Sequence, residues 1–273
     1  MVTKKREKAM NFERITSRKN DGVISAASLC DKKHRDDTGL FAFEGIKLLR
    51  EANECGVEIV KIYFTESALS KYGDEIERSY NGGATLFCVT DEVYAKLSAE
   101  KNPEGIYTVA KKFEFEKQLC SDGGYLILCD VQNPSNVGTV IRTACALGID
   151  KVLLTPGCAD IFGPKTQRAA MGTVFRTKFY KSDDIKGDIE YLKSNGKKVY
   201  ASALTNRACD IRNVSFSHSD SIIIGNEGKG LPEDVLSSCS DCVIIPMCNG
   251  AESLNAAAAA AIFIWEKQKG LIK

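Results

Sequence analysis

Three loops carry the residue types that could do chemistry. The first, Asp130-Val-Gln-Asn-Pro-Ser-Asn-Val-Gly-Thr-Val-Ile-Arg142, sets Asn133 and Asn136 around a Pro134-Ser135 turn. Gly138 in it leaves room for a ligand or a second backbone. Arg142 follows among Val140, Ile141, Ala144 and Cys145. A guanidinium in so apolar a stretch calls for a partner, because an unpaired buried charge is costly, and its fork suits a phosphate or a carboxylate. The second loop, Gly225-Asn-Glu227-Gly-Lys-Gly230-Leu-Pro, is a glycine-rich turn with one carboxylate. Its spacing is neither GxGxxG nor GK[ST], so dinucleotide-binding and phosphate-loop readings fail. The third, Ile244-Ile-Pro246-Met-Cys-Asn-Gly-Ala-Glu-Ser253-Leu-Asn255, ends where an alanine-rich helix begins. Free N–H groups at such an entry can bind a ligand's polar atoms, and Ser253 also reads as an ordinary N-cap.

Composition narrows the chemistry further. Of the 273 residues only His34 and His218 are histidines, so multi-histidine metal sites are excluded. Ser217, His218, Ser219 and Asp220 are sequence neighbours rather than a convergent triad. The eleven cysteines are scattered and odd in number, which fits a reduced, cytoplasmic protein better than a disulfide scaffold. Cys239 and Cys242 form the one CxxC, with Cys248 nearby; they read as small buried side chains, and no metal is expected. The apolar run Ala256–Trp265 is too short to cross a bilayer. Net charge is +1, yet residues 1–35 hold ten Lys/Arg against four Asp/Glu, a local +6 suited to a polyanion touched at one end.

The elements that must position these loops alternate between strand and helix, which predicts an α/β protein. In the first part a helix runs from Gly45 to Cys55, strands follow near 58–65 and 84–89, Thr90 caps a helix, and 105–110 is a further strand. Periodicity lapses over 111–124, placing a linker there and domains at 1–115 and 116–273. The second part opens with Tyr125-Leu-Ile-Leu-Cys-Asp130, an apolar run of the kind buried on both faces of a parallel sheet. A helix over 136–147, strands near 151–155, 198–204, 221–225 and 242–246, and the alanine-rich helix complete a parallel sheet with helices on both faces. Each of the three loops then falls at the carboxyl end of a strand, where open α/β sheets place ligands.

In order and spacing, Asn133-Pro-Ser-Asn-Val-Gly-Thr-Val-Ile-Arg142, Gly225-Asn-Glu-Gly-Lys-Gly-Leu and Ile245-Pro-Met…Glu-Ser-Leu-Asn255 resemble the three motifs of the SpoU (TrmH-like) RNA 2′-O-ribose methyltransferases of the SPOUT superfamily. The likeness spans residues 125–268; Ser135 stands where glycine is usual. Arg35…Gly39-Leu-Phe-Ala-Phe-Glu-Gly45 resembles, more loosely, the family's ribosomal-protein-like substrate-binding domain. The resemblance implies a C-terminal trefoil knot, an exception to the no-knot tendency, and a homodimer built across the knot region. It implies S-adenosylmethionine bound largely by backbone groups at Gly225, Ile245, Leu254 and Leu204. Arg142 would serve methyl transfer, with Asn136, Glu227, Ser253 and Asn255 orienting it and the ribose. Arg35, Lys165 and Arg168 would meet the RNA, ribosomal RNA before transfer RNA. A non-catalytic RNA-binding or assembly protein on the same scaffold is the alternative, and the joint presence of Arg142, Glu227, Ser253 and Asn255 argues against it.

Overall fold

The computed structural model describes residues 10–205, 207–248 and 253–270, and the chain divides into two compact units. The first unit comprises the described residues up to Phe113 together with Phe162–Phe175. It begins with β1 (Phe12–Ile15), α1 (Asp21–Ser28) and α2 (Lys32–Thr38). There follow β2 (Leu40–Glu44), α3 (Ile46–Glu54), β3 (Ile59–Phe64), α4 (Glu66–Asn81), β4 (Thr85–Val89), α5 (Asp91–Leu97) and β5 (Ile106–Lys111). Thr65 and Thr90 supply the N-caps of α4 and α5, accepting from the backbone N–H of Ala68 and Val93. The five-stranded sheet has the order β1-β4-β3-β5-β2, with β1, β4 and β3 parallel and β5 antiparallel to its neighbours.

The second unit holds β6 (Leu126–Leu128), α6 (Pro134–Ala146) and β7 (Lys151–Leu154). The chain then rejoins the first unit through α7 (Pro164–Ala170), because Phe162 and Phe175 pack their rings against Phe41 and Phe43 at 5.1 and 5.3 Å between centroids. It re-enters the second unit for β8 (Lys178–Lys181), α8 (Ile185–Ser194), β9 (Val199–Ser202), β10 (Cys209–Asp210) and β11 (Ser221–Ile224). The last elements are α9 (Glu233–Ser238), β12 (Asp241–Ile244) and α10 (Ala256–Gln268).

This sheet has seven strands, all parallel, in the order β10-β12-β9-β11-β6-β7-β8. Leu126, Ile127 and Leu128 of the central strand are fully buried, as a run covered on both faces must be. From β6 the chain builds outwards to β7 and β8 on one side, while β11, β9 and β12 fill the other. The loops after β6 and β11 therefore part at a switch point, the ordinary place for a ligand crevice. Cys239 belongs to the core of this unit with Cys242 packed against it. The Cys239 thiol donates to the Val235 carbonyl, and burial pushes it up to about 12. The cap of α10 is Asn255, whose side chain accepts from Ala257 and Ala258, and not Ser253. No described helix is long and apolar enough to cross a membrane.

Candidate active site

The site is assembled from the turns that leave β6, β11 and β12. After β6, Asp130 adopts a left-handed backbone (φ 54°), a conformation that costs a non-glycine residue about 1–3 kcal/mol. Three contacts hold it there. Its N–H donates to Thr155 Oγ1 at 2.8 Å, the Thr155 hydroxyl donates back to its carboxylate at 2.6 Å, and its carbonyl accepts from Asn226 Nδ2 at 2.8 Å. Asn133 then caps α6 through the Ser135 N–H, with Pro134 at the first helical position.

The buried Asn136 joins the three loops. Its Nδ2 donates to Glu227 Oε1 at 2.8 Å, and its Oδ1 accepts from Asn255 Nδ2 at 3.1 Å. Glu227 also accepts from the backbone N–H groups of Gln132 and Asn133 at 3.4 and 3.3 Å. Partial burial pushes the Glu227 carboxyl up, but the Asn136 amide and these N–H groups outweigh it and hold the group below the usual carboxylate range.

Beside this network lies a cleft of about 460 Å³ at the carboxyl ends of β9, β11 and β12. Leu204, Gly225, Glu227, Ile245, Ser253 and Leu254 all line it. Ile224, Val243 and Phe263 give it an apolar floor. Such a volume suits a small-molecule ligand. Gly225 permits the turn that forms one wall: a Cβ there would lie 2.7 Å from the Gly230 carbonyl carbon and 2.9 Å from Leu231 Cγ. That close approach lets Asn226 and Gly230 exchange a pair of backbone hydrogen bonds at 3.1 and 3.0 Å.

Two expectations need correction. Arg142 is not buried in an apolar stretch. Val140, Ile141 and Ala144 are fully buried, but at 100° per residue the Arg142 side chain falls on the solvent face of α6. It forms no ion pair among the described residues and does not line the cleft. Arg35 is not an exposed cation for RNA. It is buried (3% exposed), and its guanidinium donates to the Leu29 and Cys30 carbonyls at 2.8 and 2.9 Å, closing the end of α1. Lys165 and Arg168 are exposed on α7, in the first unit, where Arg168 pairs with Glu100. The roles of Asp130, Asn226 and Thr155 carry no sequence signal of their own. A left-handed non-glycine leaves no compositional trace, although Asn226 sits inside the glycine-rich motif.

Residues 124–265 match the SpoU rRNA Methylase family and residues 20–108 the MRM3-like substrate binding domain. The chain belongs to the SpoU rRNA methylase family, and is thus a methyltransferase with a separate N-terminal substrate-binding domain. It is 32% identical over 254 residues to the 23S rRNA (guanosine(2553)-2'-O)-methyltransferase RlmP of Bacillus subtilis (strain 168), covering 93% of this chain and 98% of that one. An AdoMet-bound rRNA methyltransferase from Sinorhizobium meliloti is 27% identical with a TM-score of 0.87, over 96% of this chain and 99% of that one. A crystallised RNA 2'-O ribose methyltransferase is 27% identical with a TM-score of 0.79, over 94% and 100%.

Proposed function

We propose that this protein methylates a ribose 2′-hydroxyl of ribosomal RNA, with S-adenosylmethionine as methyl donor, in the cytoplasm and as a homodimer built on the knotted C-terminal segment. The observation that carries the reading is the Asn136 hub, which ties the three motif loops together beside one cleft. The relatives' names support the reaction and the RNA.

The cleft fits the donor in volume and in charge. Apolar floor residues suit an adenosine and a thioether-like chain, and loop backbone at Gly225, Ile245 and Leu254 offers hydrogen bonds. Glu227, kept ionised, favours a cationic ligand over an anionic one. When bound, S-adenosylmethionine supplies a methyl group activated by its sulfonium charge. The protein's task is then at the acceptor oxygen. A 2′-hydroxyl is weakly acidic, and Arg142, whose guanidinium is a poor base, acts on it by stabilising the developing alkoxide or the adjacent phosphate while the hydroxyl proton passes to water. Because Arg142 lies on the outer face of α6, it meets the ribose when the RNA or a second subunit lies across that face. Asn136, Ser253 and Asn255 orient the acceptor. Lys165 and Arg168, exposed on a helix of the first unit, meet RNA phosphates.

Calorimetry with S-adenosylmethionine, followed by methyl incorporation into ribosomal and transfer RNA lacking the modification, tests the reading. It predicts micromolar binding and incorporation into ribosomal RNA. A folded protein that binds RNA without binding the donor is an assembly factor, and one that methylates transfer RNA alone has the other substrate.

A further inference from the structure

The first unit has its own cleft, of about 350 Å³, at the carboxyl ends of its parallel strands. Arg14 reaches it from β1 and Thr16 from just beyond that strand, Glu66 and Ser67 from the start of α4, and Thr90 and Asp91 from the start of α5. Helix α5 packs with α1 in one core cluster that includes Val23, Ala26, Val93 and Tyr94, whereas the buried Leu69 and Ile76 of α4 lie outside it. The chain thus leaves β3 and β4 towards different helical layers, opening a crevice between adjacent parallel strands.

Its lining sets one cation, Arg14, and two carboxylates, Glu66 and Asp91, beside apolar surface from Ile15, Cys88 and Val89. Arg14, though exposed, has three neighbours: Nη1 lies 2.5 Å from Glu66 Oε1 and 3.9 Å from Cys88 Sγ, and the guanidinium stands over the Phe12 ring at 5.7 Å. A planar cation placed in this way offers a stacking surface to a base. The carboxylates of Glu66 and Asp91 accept hydrogen bonds and repel phosphate. Two exposed cations, Arg18 and Lys19, follow Thr16 in the chain, outside the lining. A cation that can stack and two acceptors in the lining, with two further cations next in the chain, suit one unstacked nucleotide, its base inward and its phosphate outward. Among bases guanine offers two adjacent donors, N1–H and the 2-amino group, to a single carboxylate.

Resting on the RNA reading above, we infer that this cleft takes one unstacked guanosine nucleotide of the RNA substrate. The base edge meets Glu66 or Asp91 and its face lies on Arg14. The site selects the RNA and takes no part in methyl transfer.

Two measurements on the full-length protein test it. In the first, GMP and IMP, which lacks the 2-amino group, are titrated while hydrogen exchange is followed. GMP should protect residues 14–16, 66–67 and 88–91, and IMP should bind about fivefold more weakly. In the second, methyl-transfer kinetics on unmodified ribosomal RNA compare wild type with Glu66→Gln, Asp91→Asn and the double variant. KM for RNA should rise about tenfold or more in the double variant, while kcat at saturating RNA and donor affinity stay within about twofold. Each conservative exchange is at an exposed position, and melting temperature confirms folding. Equal binding of GMP and IMP, protection elsewhere, or an unchanged KM in folded variants overturns the inference alone. A wild type that transfers no methyl to any RNA overturns the function reading, and this inference with it.

Discussion

Asn136→Ala is the most informative single perturbation of the site. It deletes one hydrogen bond to a carboxylate and one between amides, 2.8 and 3.1 Å long. Bonds of these kinds contribute about 1.5–3 and 0.5–1.5 kcal/mol. Glu227 is exposed and keeps two backbone donors, so water offsets part of the loss and a net of about 1–3 kcal/mol remains. If the hub holds the loops in reacting geometry, single-turnover methyl transfer should fall roughly ten- to a hundredfold, with a melting temperature lower by a few degrees. Asn136→Asp separates geometry from bulk. It sets a second carboxylate against Glu227 at hydrogen-bond distance, where two such groups cannot both ionise. That variant should be impaired at neutral pH and recover as pH falls and one carboxyl takes a proton. A folded Asn136→Ala with wild-type turnover and donor affinity, or an Asp variant with a flat pH profile relative to wild type, refutes the reasoning.

Other outcomes follow from the same structure. Arg142→Ala should cut the transfer rate by on the order of a hundredfold with melting temperature and donor affinity unchanged, because the side chain is exposed without an ion pair among the described residues; Arg142→Lys should rescue poorly. Gly225→Ala should weaken donor binding at least as much as it lowers stability, measured by calorimetry and melting, since its Cβ forces the Gly230 backbone away and distorts the cleft wall by about 1–3 kcal/mol. Lys267, buried with its ammonium on the His218 carbonyl, is pushed down by burial to about 8 from 10.5. Between these values the unfolded chain holds a proton the native one lacks, so stability should rise with pH across that window, and denaturant titrations of Lys267→Met should show less of this slope.

Local patterns carry the loops and five of the seven strands of the second sheet, β8 and β10 excepted. The apolar run 125–130 reads as a covered strand, which forms at Leu126–Leu128, and the Thr90 cap follows from side-chain chemistry within one turn. What sequence concealed depends on direction and distance. Arg142 has buried neighbours, yet its own angle on α6 turns it outwards. Arg35 sits in a basic stretch that invites a nucleic-acid reading, but two carbonyls six and five residues away claim it. The return of Phe162–Phe175 to the first unit rests on ring packing with Phe41 and Phe43, over a hundred residues earlier in the chain, and no local pattern encodes it. Asn255 rather than Ser253 caps α10 because the helix starts with the alanine run itself, at Ala256, and the Asn255 side chain reaches the Ala257 and Ala258 N–H groups.

The central claim is the position of the methyl group. Purified protein, S-adenosylmethionine labelled in the methyl group and ribosomal RNA from cells lacking the gene should yield labelled RNA, which is then digested with alkali. A 2′-O-methylribose blocks cleavage of the adjoining phosphodiester, so the account predicts that the label emerges in an alkali-resistant dinucleotide. Label recovered instead in a mononucleotide bearing a methylated base, or no incorporation by an enzyme that binds both donor and RNA, contradicts it.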